Sequence, residues 1–482
     1  MNYSDNLNAN KVFPVLSKTA DQLGLECYVV GGWVRDLLLG RPSEDIDVVV
    51  VGSGIAMAEA FAKELGSGAY LAVFKNFGTA QVRKGKIDVE FVGARKESYH
   101  RESRKPIVEN GTLADDQCRR DFSINAMAIC LNASRYGELV DPFNGVEDLA
   151  NGIIRTPLDP DITFSDDPLR MMRAVRFATR LGFTILSDTY EAIRRNVERM
   201  DIVSSERTAE ELNKIMRTSN PSRGIMLMDG CGLLAKVLPE IDALKGVEKH
   251  NERTHKDIFT HTMRVLEGVA NRSDDIWLRY AALFHDVGKP KTKQWDDAHG
   301  WIFYNHNFVG MKMLTPIFRR LHLPLGEELK LVKKLVELHM RPINLCDEGV
   351  TDSAIRRLLF DAGDDIDKLM ILCESDITSA NREKVERFAN NYQLLRIKLK
   401  EIEEKDRIRN FQPPVDGLEI MQMFNIPPCA VVGELKNAVK DAILDGIIPN
   451  EHDAARNFVI ANAAKYNLKP VDVSSDRTHI EK

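Results

Sequence analysis

The chain has 482 residues, a length that suggests roughly three domains of ordinary size. Its 44% hydrophobic content is ample for buried cores, yet no apolar run approaches the ~18 residues of a transmembrane helix, and residues 1–11 lack an apolar signal core, so a cytoplasmic protein without membrane contact is expected. The net charge of −6 neither advertises nor excludes nucleic-acid binding, which depends on where Lys and Arg cluster, and the seven scattered cysteines without a Cys-x-x-Cys pair point away from a disulfide frame or structural zinc.

Residues 10–27 read as a helix that packs on a sheet. The densest chemistry follows, in residues 29–51. Gly31 and Gly32 end an apolar, strand-like start, a helical segment from Trp33 to Leu39 carries Arg35 and Asp36, and Asp45 and Asp47 run into four valines. A short β-branched run reads as a buried strand. Side chains two apart on a strand share a face, so Asp45 and Asp47 present two carboxylates side by side. Such a pair repels unless partnered. Mg²⁺ resolves the repulsion, since it is held by one or two carboxylates plus substrate phosphates, and two such ions clamp an in-line phosphoryl displacement. Glycines let backbone amides approach a triphosphate, and Arg35 can add a charge-assisted contact. A plain loop, with Gly for the turn and Asp for capping, accounts for Asp-x-Asp alone but less well for the whole combination.

Gly31-Gly32-x-Val34-Arg35-Asp36 followed by Asp45-x-Asp47 resembles the signature of class II nucleotidyltransferases of the DNA polymerase beta superfamily. These are the tRNA CCA-adding enzymes of bacteria and eukaryotes and the bacterial poly(A) polymerases. The resemblance implies an α+β fold, with a polymerase-beta-like head built on a small mixed sheet and helical domains after it.

Downstream, residues 54–66 read as a helix and 70–74 and 79–83 as strands. The run 86–92 alternates, with Asp88 and Glu90 on one face and Ile87, Val89 and Phe91 on the other. The resemblance makes Glu90, in a strand before Arg95, the candidate third carboxylate; the alternative is a Glu90 that faces solvent at a sheet edge. Residues 95–117 are charged, show no regular period and match a mobile loop of the family. Arg119-Arg120-Asp121-x-x-x-Asn125 matches a second motif in the right order. Its arginines can meet phosphates through their bidentate forks, and Asn125 can hold a ribose hydroxyl; a basic pair at a helix start is otherwise often only surface. Asp141-Pro142-x-x-Gly145-x-x-Asp148 resembles a third motif, a loop and helix start that the resemblance makes a springy element.

Asp166-Asp167-Pro168-Leu169-Arg170 begins a helix, with Asp167 as N-cap and Pro168 in the first position. Arg170, three residues on, shares a side with Asp167. The resemblance makes Asp167 and Arg170 a protein template for the Watson–Crick edge of CTP or ATP, with Arg173 and Arg176 also in the nucleotide-binding set. A carboxylate accepts from the exocyclic amine that C and A share, and Arg supplies donors to ring acceptors. The family's Glu-Asp-x-x-Arg is here Asp-Asp-x-x-Arg, which puts the role of Asp166 in question. Residues 204–215 resemble the fifth motif, read as a structural brace.

Beyond residue 245 the composition changes. Six of the eleven histidines lie between 250 and 310. His285-Asp286-x-Gly288-Lys289 ends an apolar helix, with His261 upstream and His306, His339 and Asp376 downstream. A lone His on an apolar helix is usually a core residue, but several His and Asp on successive helices are better explained as a metal cluster. The pattern resembles an HD-type phosphohydrolase domain, which implies a divalent metal on His261, His285, Asp286 and Asp376, with His306 and His339 for a second metal or a substrate phosphate. Residues 384–408 are helical and charged, 417–448 resemble a small helical module that touches tRNA, and the chain from 466 reads as a loosely ordered tail.

The expected organisation is a head at 1–155, a nucleotide-selecting neck at 156–245, an HD-type domain at 246–385 and a helical tRNA-binding body and tail at 386–482. The expected activity is addition of CCA to tRNA 3′ ends from CTP and ATP, with two Mg²⁺ in the head and no DNA partner. A CC-adding, A-adding or poly(A)-adding relative, an HD-type hydrolase as main activity, and a non-catalytic RNA binder are the rivals. Oligomeric state and the HD-type metal stay open.

Overall fold

A computed structural model describes residues 1–75, 78–98, 107–246, 249–250, 253–254, 257–346, 350–378, 381–406, 408–409 and 411–471. The chain forms two compact units, Met1–Ala243 with Arg320–Leu323, and Leu244–Arg319 with Pro324–Lys482. The fold is α+β, with the sheet of the head in the first unit and helices dominating elsewhere.

The head begins with helix α1 (Val12–Leu23), which buries Phe13 and Leu16. It stops earlier than its sequence suggests. Gly24 takes a left-handed conformation at the C-cap (φ 62°), and strand β1 (Glu26–Val30) starts two residues later. Helix α2 (Gly32–Leu38) and strand β2 (Ile46–Val51) follow. Helix α3 (Gly54–Leu65) crosses back over the sheet to the hairpin of β3 (Tyr70–Phe74) and β4 (Thr79–Lys84), which leads to β5 (Ile87–Gly93). A Cβ on Gly54 would stand 2.8 Å from the Gly93 amide nitrogen, so glycine is what lets α3 start so close to β5.

With β8 (Ala128–Cys130) and β9 (Leu139–Val140), the sheet order is β3-β4-β5-β2-β1-β8-β9. All pairs are antiparallel except β2 with β5. The valine run of β2 is thus central, which explains its unbroken apolar character.

Residues 95–117 are more regular than their composition suggests. Arg95–Ser98 and Ile107–Asn110 pair as antiparallel strands β6 and β7. Helix α4 (Leu113–Cys118) then starts from a reciprocal capping box between Thr112 and Asp115. Cross-strand hydrogen bonds, not apolar alternation, make this hairpin, which is why the sequence period missed it. The remainder of the expected mobile loop, 99–106, lies outside the described residues. The third motif is a capped helix start. Both oxygens of Asp141 accept from the amides of Gly145 and Val146 at 2.7 and 3.0 Å.

After the head come helices α5 (Pro160–Asp166), α6 (Leu169–Leu181) and α7 (Ser205–Met216). Asp166 therefore ends one helix rather than opening the next. Asp167 is extended between the two, and its Oδ1 accepts from the Leu169 amide at 3.3 Å, a cap in effect.

The second unit holds α8 (Ile258–Ala270), α9 (Ile276–Phe284), α10 (His306–Arg320), α11 (Glu327–Leu338) and α12 (Ile366–Ser375). Its helix Arg382–Asp406 covers the charged stretch, and three more helices reach Ala463. Most of the expected tail, 472–482, lies outside the described residues. Among the described residues no helix is long and apolar enough to cross a membrane, and all seven cysteines are free.

Candidate functional site

The first candidate site lies at the mouth of β2. Asp47 pairs in register with Glu90 across the parallel β2–β5 ladder, which sets the two carboxylates side by side on one face. Glu90 is exposed, but β5 is an interior strand, so the edge alternative does not hold. Asp45 is exposed just before the strand, and Asp47 is half-buried. Gly31 borders the same space (φ 72°). A Cβ there would meet Arg120 Nη1 at 3.1 Å and Asp47 Oδ2 at 3.5 Å. Burial pushes the Asp47 carboxyl up to about 6; Arg120 opposes the shift, while Glu90 and Asp45 add to it. A carboxylate desolvated and crowded by two others, beside a hollow kept open by glycine, fits a divalent cation with oxygen ligands.

The arginines of this region are largely committed to partners. Arg35 is buried, donating from Nε to Asp36 and from Nη1 to Asn125 Oδ1, both at 2.8 Å. Asn125 donates onward to Asp121 at 3.0 Å, and Arg173 bonds the other Asp121 oxygen at 2.7 Å from Nε. Burial alone would raise Asp121, but Arg173 and Asn125 outweigh it and hold the carboxyl at about 2. The guanidinium expected on a triphosphate is thus turned inward, joining three sequence motifs in one hydrogen-bonded chain. Arg176 is also buried, 2.6 Å from Glu211 of α7 and 4.1 Å from the Phe177 ring centre, where it braces α6.

Arg119 and Arg120 share one partner that sequence reasoning missed, the fully buried Asp116 of α4. The available signal was an acid three and four residues before an arginine pair on a helix. Arg170 donates from Nη2 to the Arg119 carbonyl at 2.6 Å. Arg207 stands 3.6 Å from Asp167. A cavity of about 170 Å³ opens beside Arg170, with Lys96, Arg119 and Asp166 in its wall. Gly32 opens α2, one residue after Gly31.

The second candidate site lies wholly within the second unit. The Nε2 atoms of His261 and His285 are 3.3 Å apart, as are those of His306 and His339. Asp286 stands between the pairs. Its Oδ2 is 3.2 Å from His285 and 3.6 Å from His261, and its Oδ1 is 3.4 Å from His306 and 4.0 Å from His339. Asp376 closes the first pair, 2.9 Å from His261 and 3.7 Å from His285.

Local structure explains this convergence. His285, His339 and Asp376 each follow the last residue of a helix, and His306 starts one. Helix ends leave carbonyls without intrahelical partners. The Nδ1 atoms of His285 and His339 take those of Ala282 and Val336, three residues back, at 2.8 and 2.7 Å. His306 Nδ1 takes the Phe303 carbonyl at 2.9 Å. A carbonyl only accepts, so each Nδ1 carries the proton and each Nε2 offers a lone pair. The lone pairs of His306 and His339 therefore face each other at 3.3 Å and repel, and a cation between them removes the conflict. Burial, with His285 nearby, holds His339 down at about 4, in its ligating form. The two triads His261/His285/Asp286 and Asp286/His306/His339 are each compact enough to hold a metal ion. Sequence reasoning missed Thr378, whose hydroxyl is 2.6 Å from His261 Nδ1. It also missed the contact of Lys289 with Asp286 Oδ2, at 2.6 Å.

A carboxylate pair at a strand mouth, facing an arginine and a glycine turn, fits a nucleotidyltransferase type of head; the histidine cluster of the second unit is a further candidate metal site. Three family models match the chain: the poly(A) polymerase head domain over residues 27–155, the probable RNA and SrmB-binding site of polymerase A over 182–245, and the HD domain over 258–381. An A-adding tRNA nucleotidyltransferase of Deinococcus radiodurans is 32% identical over 89% of this chain and 94% of its own length. A multifunctional CCA protein of Nitrosococcus oceani is 36% identical over 62% of this chain and 71% of its own. A solved CCA-adding enzyme in its second apo form superposes with a TM-score of 0.63 at 25% identity, covering 95% of this chain and 96% of that one. The chain belongs to the family of CCA-adding tRNA nucleotidyltransferases and poly(A) polymerases, and carries an HD domain.

Proposed function

We propose that the first unit builds C, C and A in turn on tRNA 3′ ends, from CTP and ATP, with release of pyrophosphate. The observation that carries this reading is the register of Asp47 against Glu90 at a strand mouth shared with Asp45, Arg120 and Gly31. Asp45 and Asp47 hold Mg²⁺, with Glu90 as the third carboxylate. When bound, the ions supply charge that lowers the pKa of the primer hydroxyl and neutralises the leaving pyrophosphate. The backbone at Gly31 and Gly32 and the guanidinium of Arg120 cradle the triphosphate, while Arg35 acts through Asn125 and Asp121. Asp167 and Arg170 select the base. The tRNA is held mostly by phosphate and sugar, so its affinity falls with salt. The reading divides the chain into head (1–155), neck (156–245), HD-type domain (246–385) and tRNA-binding body (386–482), working in the cytoplasm.

The HD-type centre takes one or two divalent metals on His261, His285, Asp286, Asp376, His306 and His339. Its role is hydrolysis of terminal or cyclic phosphates.

A second reading, addition of A alone, is favoured by one finding: the Deinococcus relative that matches 89% of the chain is an A-adding enzyme. The test offers labelled CTP or ATP with Mg²⁺ to tRNA transcripts ending before CCA, after C and after CC. Stepwise incorporation that stops after A supports the CCA reading. Incorporation of A only, on the CC-ended transcript, selects the second. No incorporation on any transcript defeats both.

A further inference from the structure

Asp116 belongs to none of the motifs that define the catalytic head, yet it sits where they meet. Its side chain is fully buried on α4. Oδ1 accepts from Arg119 Nε at 2.9 Å and also from Arg119 Nη2. Oδ2 accepts from Arg120 Nε and Nη2, both at 3.0 Å. Each oxygen therefore takes one guanidinium through Nε and Nη2 together, a charge-assisted contact. The helix that carries it is itself fixed. The Thr112–Asp115 box closes its start, and Gln117 donates to the carbonyls of Ala126 at 2.8 Å and Val140 at 3.1 Å.

The two arginines lead in different directions. Arg120 extends Nη1 to the Asn125 carbonyl at 3.3 Å and stands beside Gly31 and Asp47. Arg119 offers its own carbonyl to Arg170 at 2.6 Å. Both guanidinium groups keep some exposure, 19% for Arg119 and 17% for Arg120, so each can still meet a ligand.

We propose that Asp116 is a positioning residue for nucleotidyl transfer: one buried carboxylate holds Arg120 at the triphosphate side of the site and Arg119 under the base-selecting arginine. The inference rests on the reading of the first unit as the nucleotide-adding one. An Asn at this position keeps one acceptor oxygen and turns an NH₂ group towards the other arginine, so it holds one of the two at most.

The test is a double-mutant cycle on CTP binding, measured by equilibrium dialysis in Mg²⁺ without tRNA. Asp116→Asn is expected to weaken binding roughly ten- to a hundredfold, the scale of a lost charge-assisted contact. In an Arg119→Ala/Arg120→Ala background the same change should cost almost nothing more, because both groups it positions are gone. Asp116→Glu, which restores the charge, should recover part of the loss. Additive costs in the cycle, or unchanged CTP binding with only a lower Tm, would overturn the proposal and leave Asp116 as a packing residue. A wild-type chain that binds CTP but adds nothing to tRNA would defeat the functional reading, while the cycle still decides the role of Asp116.

Discussion

The strand-mouth carboxylates and the histidines around Asp286 differ in how much of their geometry the protein alone sets. In the second unit, His285, His306 and His339 are each locked through Nδ1 to a backbone carbonyl, and His285, Asp286 and His339 are almost wholly buried. In the first unit, Asp45 and Glu90 are exposed and Asp47 is half-buried, so the neighbouring carboxylates have water around them. A centre built from helix ends is complete before any ligand arrives. A centre at the mouth of a strand leaves room for a substrate that brings its own phosphates, as Mg²⁺ chemistry requires. The comparison makes the histidine cluster the candidate for a tightly held metal and the strand-mouth carboxylates the candidate for a metal that arrives with nucleotide.

Asp47→Asn should break this comparison most visibly. Nucleotide addition should fall on the order of a thousandfold or more, the scale of removing a preorganised electrostatic stabiliser. Metal content of the second unit should not change, as elemental analysis of the purified protein can check. Asp286→Asn should do the reverse. With the carboxylate charge gone and one of its two oxygens replaced by an NH₂ that cannot ligate, the purified protein should carry little or no tightly bound transition metal, and addition rates measured in Mg²⁺ should stay near wild type.

Thr378→Val sharpens the comparison from the outer layer. His261 loses its Nδ1 partner, and metal affinity should drop roughly ten- to a hundredfold, read by competition with a chelator. The smallest effect expected is on stability. Asp121 has its pKa depressed to about 2 in the folded protein, against 3.8 as the ordinary value, by Arg173 and Asn125 working against burial. A depressed carboxylate contributes stability that is fully present above about 4 and is lost as pH falls through about 2. Asp121→Asn should therefore cost about 2 kcal/mol at neutral pH in denaturant unfolding. The cost should shrink between pH 4 and 2.

Much of this was legible in the sequence for a physical reason. The two-residue spacing kept Asp45 near Asp47, but the strand begins only at Ile46, so strand alternation does not set the Asp45 side chain. The alternation of 86–92 put Glu90 on a polar face. What the strand could not tell was its neighbour, since the Asp47–Glu90 register depends on a crossover through α3. The histidines were legible as residue types on apolar helices, but their placement at helix ends, which locks the tautomers, needed the helix boundaries. The hairpin β6–β7 was hidden because backbone hydrogen bonds, not side-chain pattern, hold it. Asp116 was hidden because a buried acid between arginines looks like any solvated charge run. Arg35 was misplaced for the converse reason: an arginine beside glycines suggests a phosphate, and only the fold shows it bonded to Asp36 and Asn125.

The most direct test of two independent centres is single-turnover nucleotide addition by two proteins side by side. One is Asp286→Asn, stripped of metal in its second unit. The other is Asp47→Asn, with that metal retained. Labelled CTP and a tRNA transcript ending before CCA are supplied in Mg²⁺. Addition by the first and none by the second is the result expected. Loss of addition in the metal-stripped protein, or its survival in Asp47→Asn, would contradict the assignment of nucleotidyl transfer to the carboxylates of the head.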